Sequence, residues 1–269
     1  VDDDIRAYYE VAGERDRLSS WGWLEFARTK ELLQRHLPPV PAQVLDVGGG
    51  PGAYAAWLAE LGYDVHLVDP VPLHVEQAGD EARSAARPFT VAEGDARSLV
   101  EDVGSFDAVL LLGPLYHLTR REDRRAALAE AHRVLKPGGV VAVAGISRFA
   151  SILDGLAHGL LLHPEFQTIV EQDLRSGKHR NPSDLPQAFT TAFFHRPSEL
   201  FAEVAEAGFT VDALYGVEGP AGWFAPPAPP EDGSHDQERL LWVARAVEQE
   251  PELLGVSAHL LVLGRAATD

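Results

Sequence analysis

This 269-residue sequence predicts a mostly parallel β-sheet with helices on both faces, an α/β fold. Strand-like and helix-like patterns alternate from Gln43 to Ile146, which is the arrangement that builds parallel sheets through right-handed crossovers. Phe106 to Leu112 is a nearly continuous apolar run, as expected of a central strand covered on both faces. A glycine-packed turn, Gly48-Gly49-Gly50-Pro51-Gly52, joins the first strand directly to a helix.

Two helical patterns come first. Asp4 to Val11 is short, and Trp21 to His36 carries Leu24, Ala27, Leu32 and Leu33 near one face before Pro38-Pro39 stops it. Strand Gln43 to Val47 then leads to helix Ala53 to Leu61, and strand Asp64 to Val68 to helix Leu73 to Ala86. Strand Phe89 to Ala92, strand Phe106 to Leu112 and helix Glu122 to Val134 follow. Lys136-Pro137-Gly138-Gly139 reads as a tight turn into strand Val140 to Ile146. There the alternation breaks. Helical patterns at Arg148 to Leu162 and Pro164 to Ser176, then an irregular Gly177 to Gln187, suggest a cap inserted into the core. Helix Pro197 to Ala207 and strands Phe209 to Val217 and His259 to Arg265 complete a seven-stranded sheet, with a Pro- and Gly-rich loop or mobile flap at Gly219 to Gly233. The expected organisation is a single domain: an N-terminal helical lid (1–40), a core (41–146), the cap (147–197) and core completion (198–269) with a flexible loop at 219–235.

Composition narrows the function. Acidic residues number 41 against 23 basic, a net charge of −18 that repels phosphodiester backbones and anionic lipid surfaces, so neither nucleic acid nor membrane is an expected partner. Cysteine is absent, which removes disulfides, thiolate nucleophiles and cysteine metal sites. No basic segment followed by an apolar stretch opens the chain, and no run of about 18 apolar residues occurs, so a cytoplasmic location is expected. Arg far outnumbers Lys and Ala, Gly and Pro are frequent, as in a GC-rich bacterial gene.

A glycine turn at a helix N-terminus lets backbone N–H groups approach a nucleotide-like ligand closely. Two ligands compete for this one. Gly48-x-Gly50-x-x-Ala53, with Asp69 ending the second strand, fits the dinucleotide fingerprint of an NAD-dependent oxidoreductase. The spacing Asp46-x-Gly48-x-Gly50-x-Gly52 resembles the first motif of class I S-adenosylmethionine-dependent methyltransferases. Gly94-Asp95-Ala96 and Leu135 to Val140 resemble later motifs of that family in the right order, and the strands around Phe209 and His259 suit its topology, in which the last strand inserts antiparallel into a Rossmann-like sheet. The phrases Gly113 to Leu118, Ile146-Ser147-Arg148, His179 to Pro182, Phe194 to Pro197 and Val217 to Pro220 extend the similarity to a widespread, poorly characterised bacterial group of that family.

The resemblance implies S-adenosylmethionine as cofactor and S-adenosylhomocysteine as product. Asp46 with Gly48, Gly49, Gly50 and Gly52 would surround the aminoacyl end, Asp69 and Pro70 would flank ribose and adenine, and Asp95 and Ala96 would read the base, with Leu112 alongside. Tyr8 or Tyr9, on the first helix, would place a hydroxyl near the cofactor's carboxylate. Asp95 as a helix cap and Pro70 as a strand terminator are the plainer alternatives.

Methyl transfer is an in-line displacement at a sulfonium, so the protein chiefly supplies alignment, water exclusion and, for a protonated nucleophile, a base. His117, after the fourth strand beside Tyr116, is the first candidate base, with His195 second; a backbone-capping histidine is the plainer reading. In the cap, Arg148, His179, Arg180 and Arg196 belong to a segment more basic than the rest of the acidic chain, which would suit an acceptor bearing a carboxylate or phosphate. Pairing of those residues with local acids is the competing expectation. No His-Asp-Glu cluster shows metal-ligand spacing, and no metal is expected. The reading is thus a small-molecule methyltransferase, with a peptide carboxylate acceptor or a non-catalytic cofactor-binding module as alternatives.

Overall fold

The computed structural model describes residues 17–182, 185 and 189–268. Tyr8, Tyr9 and the expected first helix lie outside them. Among the described residues nine strands form one central sheet. Strands β1 (Gln43–Val47), β2 (Asp64–Asp69), β3 (Thr90–Glu93), β4 (Phe106–Leu111) and β5 (Leu135–Ser147) run parallel in the order β3-β2-β1-β4-β5. The last strand, β9 (His259–Ala266), pairs antiparallel with β5 from Ile146↔His259 to Val140↔Arg265. On its other side β9 pairs with β8 (Phe209–Gly216), again antiparallel. These are the seven expected strands. Two short ones come from the cap: β7 (Ala192–His195) pairs parallel with the end of β5, and β6 (Lys178–His179) pairs with β7.

Alternating side chains of the central strands feed two cores, because successive residues of a strand point to opposite faces. Val44 and Leu110 join Leu32, Leu33, Tyr54 and Leu58 on one face. Leu45, Val109 and Leu111 join Leu128, Ala131, Leu200 and Val204 on the other. The first face is covered by α1 (Trp23–His36), α2 (Ala53–Leu61) and α3 (Pro72–Ser84); a short α4 (Pro114–His117) then leads to α5 (Arg121–Val134) on the second. The cap holds α6 (Ala150–Ala157) and α7 (Pro164–Ser176), and α8 (Pro197–Glu206) returns to the sheet.

Three local expectations change. The Lys136 to Gly139 turn is absorbed into β5, whose register against β4 shifts between Phe106↔Leu135 and Ala108↔Val140. Gly138 takes φ 74° there and Lys136 Nζ bonds Asp107 at 2.8 Å, so the turn survives as an irregularity within a strand. The expected flap begins with a 3-10 segment, Gly219–Phe224, in which Gly219 and Ala221 are buried and the Trp223 indole donates to the Val256 carbonyl at 2.6 Å. Beyond it lies an unanticipated helix, α9 (His235–Ala246), whose Ser234 cap accepts from Gln237 N. Its Leu240, Leu241 and Ala244 pack on Trp23 and Leu24, and that tertiary surface stabilises a segment whose charged composition hides the helix. Among the described residues no helix is long and apolar enough to cross a membrane.

Candidate active site

The carboxyl ends of β1, β2, β3 and β4 open into one pocket, as ligand sites in parallel sheets do. Its floor is the glycine turn. Gly48 takes φ 68°, and a Cβ there would lie 2.6 Å from Pro114 Cγ, so only glycine lets the turn touch α4. A Cβ at Gly49 would lie 2.6 Å from Asp46 Oδ2. The bare backbone is therefore what makes room for the Asp46 carboxylate.

Asp46 is 1% exposed, and neither carboxylate oxygen has a hydrogen-bond partner among the described residues. Burial, with the nearby Asp69 charge adding to it, pushes its pKa up to about 7. A group so placed is waiting for a donor. Asp69, by contrast, is already organised: its oxygens accept from Gly50 N and Val71 N, each at 2.9 Å, and His74 Nδ1 lies 3.2 Å away. Asp95 is gripped by Arg97, whose Nε and Nη2 reach the two oxygens at 3.0 and 2.6 Å. That fork, helped by Arg97 N, holds the Asp95 pKa below the usual carboxylate range.

Across the pocket stands α4. His117 is half-buried, with its ring 4.6 Å from that of Tyr116 and 5.8 Å from that of Phe189. Burial lowers its pKa to about 4 against the opposing pull of a backbone hydrogen bond at Thr191. Its imidazole is thus neutral at pH 7, and a neutral imidazole donating one N–H keeps a lone pair on its other nitrogen. Thr191 and Phe189 flank the start of β7, so the cap does reach the site, through an aromatic ring and backbone.

At the far side the pocket is bounded by Arg17 and Glu25. Arg17 Nη1 bonds Glu25 Oε2 at 2.5 Å, and Glu25 lies 3.8 Å from His259 Nδ1. The His259 Nδ1 to Glu218 Oε1 distance is 2.5 Å, and Glu218 Oε2 accepts from Ser257 Oγ at 2.9 Å and from His259 N at 3.1 Å. Burial would depress the His259 pKa, but Glu25 and Glu218 outweigh it and raise it to about 9, so the ring is an imidazolium at neutral pH. Glu25, Glu218 and His259 offer ligand atoms within 4.8 Å of one another, a grouping the sequence spacing did not reveal; in this arrangement guanidinium and imidazolium supply the countercharge.

The pocket therefore gathers Asp46, Gly48, Gly49, Gly50, Asp69, Pro70, Asp95, Ala96, Leu112, Tyr116 and His117. Gly52 stands just behind, as the N-cap of α2 with φ 96°. The remaining expected residues among those described are not brought to it. His195 is fully buried, with Nε2 3.3 Å from Glu203 Oε2, where Glu203 also takes both arms of Arg124 at 2.7 Å. Arg148 donates to the Phe194 carbonyl at 2.7 Å and to Glu199 at 2.6 Å. His179 stands between Asp173 Oδ2 at 2.8 Å and the Phe189 carbonyl at 3.1 Å. Arg196 is exposed, its guanidinium 5.5 Å over the Phe149 ring, and Arg180 is half-buried away from the pocket lining. Arg148 and His179 thus follow the competing expectation, local pairing, because buried charges find nearby partners before they serve a ligand.

A model of the methyltransferase domain matches residues 44–139. Demethylmenaquinone methyltransferase of Thermus thermophilus is 30% identical over 76% of this chain and 91% of its own length. The chain belongs to the class I S-adenosylmethionine-dependent methyltransferases. Glycine/sarcosine N-methyltransferase of Parasynechococcus marenigrum is 35% identical over 47% of this chain, which spans only 45% of that relative's length. A S-adenosylmethionine-dependent methyltransferase of Methanosarcina mazei shares the fold, with a TM-score of 0.61 at 17% identity over 88% of this chain and 98% of that one.

This methyltransferase uses S-adenosylmethionine, and the NAD alternative falls away. Several pocket residues of the enzyme escaped the sequence reading. Arg97 and His74 lie two and five residues past Asp95 and Asp69, close enough to have been suspected. Arg17 reaches the lining beside Glu25, and Glu218, outside the lining, joins them through His259 only in the fold.

Proposed function

We propose that this enzyme transfers a methyl group to a small-molecule acceptor bound beside α4, by in-line displacement, with the neutral imidazole of His117 as base when the nucleophile carries a proton. The observation that carries this reading is one pocket with an unpartnered, buried Asp46 on one wall and His117 with Tyr116 on the other. Asp46 fits an ammonium, whose N–H groups would satisfy both orphaned oxygens and restore the carboxylate form. Asp69, with Pro70 beside it, faces ribose hydroxyls, and Asp95 with Ala96 faces the adenine edge. When bound, the cofactor supplies an electrophilic methyl on a sulfonium. The protein's share is to hold that end near Asp46, to keep water out with Tyr116 and Phe189, and to take a proton at His117.

The acceptor is proposed to be small because the wall facing it is aromatic and Arg148 of the cap is engaged by Phe194 and Glu199. Relatives named for glycine/sarcosine and for demethylmenaquinone methylation support that class. Labelled donor incubated with fractionated metabolites from a bacterial extract tests it. Label should enter a low-molecular-weight product; label in protein only, or in nothing, would reject this acceptor class. With that product in hand, His117→Ala should slow turnover roughly 100-fold or more if His117 is the base, while S-adenosylhomocysteine affinity stays within a fewfold. A near-normal rate removes His117 from proton transfer.

A further inference from the structure

His179 and Asp173 form a buried pair in the cap, 2% and 1% exposed, and neither lines the pocket. Helix α7 ends at Gly177, where φ 71° turns the chain into β6, so His179 returns onto Asp173 six residues after it. The carboxylate is fixed from the other cap helix as well, because Ser151 Oγ on α6 donates to the same Oδ2 at 2.6 Å. The imidazole lies flat on the Phe194 ring, with centroids 4.6 Å apart and planes at 13°. Its two nitrogens face a carboxylate oxygen and a carbonyl oxygen, both acceptors, so an N–H at each end satisfies both. Apolar side chains of similar volume would hold the cap together at least as well, since a buried polar pair must first offset its own desolvation. What the polar pair adds is direction.

The segment so directed is 189–192. The His179 side chain holds its first carbonyl, Phe189 O at 3.1 Å, and the His179 backbone pairs with its last residue, Ala192. Between these two tethers lies Thr191, whose backbone takes the hydrogen bond of the His117 ring. Phe189 adds a second contact, its ring 5.8 Å from that of His117 and 6.3 Å from that of Tyr116. We propose that His179, aimed by Asp173, is a positioning residue that sets the His117 imidazole against the acceptor site; the inference rests on the acceptor placement beside α4 above. Neither His179 nor Asp173 touches the acceptor, and both act through Thr191 and Phe189. With the side-chain tether cut, the segment is held by the β6 and β7 pairing alone, and the Thr191 backbone loses its fixed bearing on α4. A displacement of about 1 Å at a reacting group can cost on the order of 100-fold in rate, so a tether this far from the chemistry still governs it.

Proton–nitrogen NMR of the histidine side chains tests this without knowledge of the acceptor. The ring N–H that His117 gives to Thr191 supplies a signal, assigned by its loss in His117→Ala. His179→Phe keeps a ring on Phe194 but removes both hydrogen bonds. It should shift the His117 signal or erase it through solvent exchange, lower kcat roughly tenfold on the acceptor that labelled donor identifies, and leave S-adenosylhomocysteine affinity within about threefold. Asp173→Leu combined with His179→Phe strands no carboxylate; it should do the same, and it carries the test if the single variant fails to fold. Val170→Ala, in the apolar cluster of the cap, loosens the cap without touching either tether and should leave both the signal and kcat in place. An unchanged His117 signal in the His179 variants would overturn the proposal. The same change in Val170→Ala would overturn it as well, by marking a general loosening of the cap. A changed signal with unaltered kcat would also overturn it wherever His117→Ala is slow. If His117→Ala turns over at a near-normal rate, the base reading has failed instead, and the signal alone decides whether His179 positions the ring.

Discussion

Asp46, on the central strand β1, and Glu203, on helix α8 packed against the same sheet, are both buried carboxylates, 1% and 6% exposed, yet they meet opposite fates. Burial alone would raise both. Around Glu203 it is outweighed by hydrogen bonds from Arg124 and His195, which bring the pKa down to about 2. Asp46 has no such partners, and its pKa climbs to about 7. A carboxylate with every lone pair matched belongs to the scaffold; one left unmatched at a strand's carboxyl end costs stability that a ligand can return.

The contrast can be broken most forcefully at Glu203. Glu203→Gln strands the buried Arg124 guanidinium and should destabilise the protein by roughly 3–5 kcal/mol, seen as a large fall in denaturation midpoint, with S-adenosylhomocysteine affinity within threefold in protein that remains folded. A loss of affinity without loss of stability would erase the distinction between the two sites.

At Asp46 the signs reverse. Its folded-state pKa exceeds the unfolded value of 3.8, so the folded protein retains a proton that the unfolded chain sheds between about pH 4 and 7. Stability of the cofactor-free protein should therefore fall as pH rises through that window, by about 4 kcal/mol at most from this residue. Asp46→Asn should flatten the decline and raise the midpoint at pH 7.5, while weakening S-adenosylhomocysteine at least tenfold. Chemical denaturation at pH 5 and 7.5 would show both effects, and a mutant less stable than wild type at pH 7.5 would count against the reading.

The smallest effect is the sharpest in sign. Because the ammonium of S-adenosylhomocysteine needs the ionised form of Asp46, affinity should rise by up to about tenfold per pH unit below 7 and level off above it. Calorimetry in buffers of different ionisation enthalpy should register proton release at pH 6 and little at pH 8. Proton uptake at pH 6 would contradict it.

Local pattern made much of this legible. Alternation of strand and helix from Gln43 to Ile146, together with the glycine turn, depends on neighbours in sequence, and the pocket assembled from Asp46, Asp69, Asp95 and His117 follows once parallel strands align their carboxyl ends. What sequence spacing does not carry is the choice of partner across the fold. Arg148 meets Glu199, 51 residues on, and Arg124 meets Glu203 at a separation of 79. Counting charges in the cap therefore left an anion-binding lid and local pairing both open, and for Arg148 the folded chain takes the second course. The same limit hid Glu218 and His259 behind Glu25, and α9 behind its polar face.

The contact of Gly48 with Pro114 acts as a spacer gauge. The glycine turn and α4 stand so close that a Cβ at position 48 would lie 2.6 Å from Pro114 Cγ, with no side chain of that residue between them to compress or tilt. Adding a single methyl at position 48 would be felt at two addresses, distorting the φ 68° turn and pushing α4, with His117 at its end, outward. If donor and acceptor meet between the turn and α4 as proposed, the missing Cβ sets the gap along which two atoms must approach.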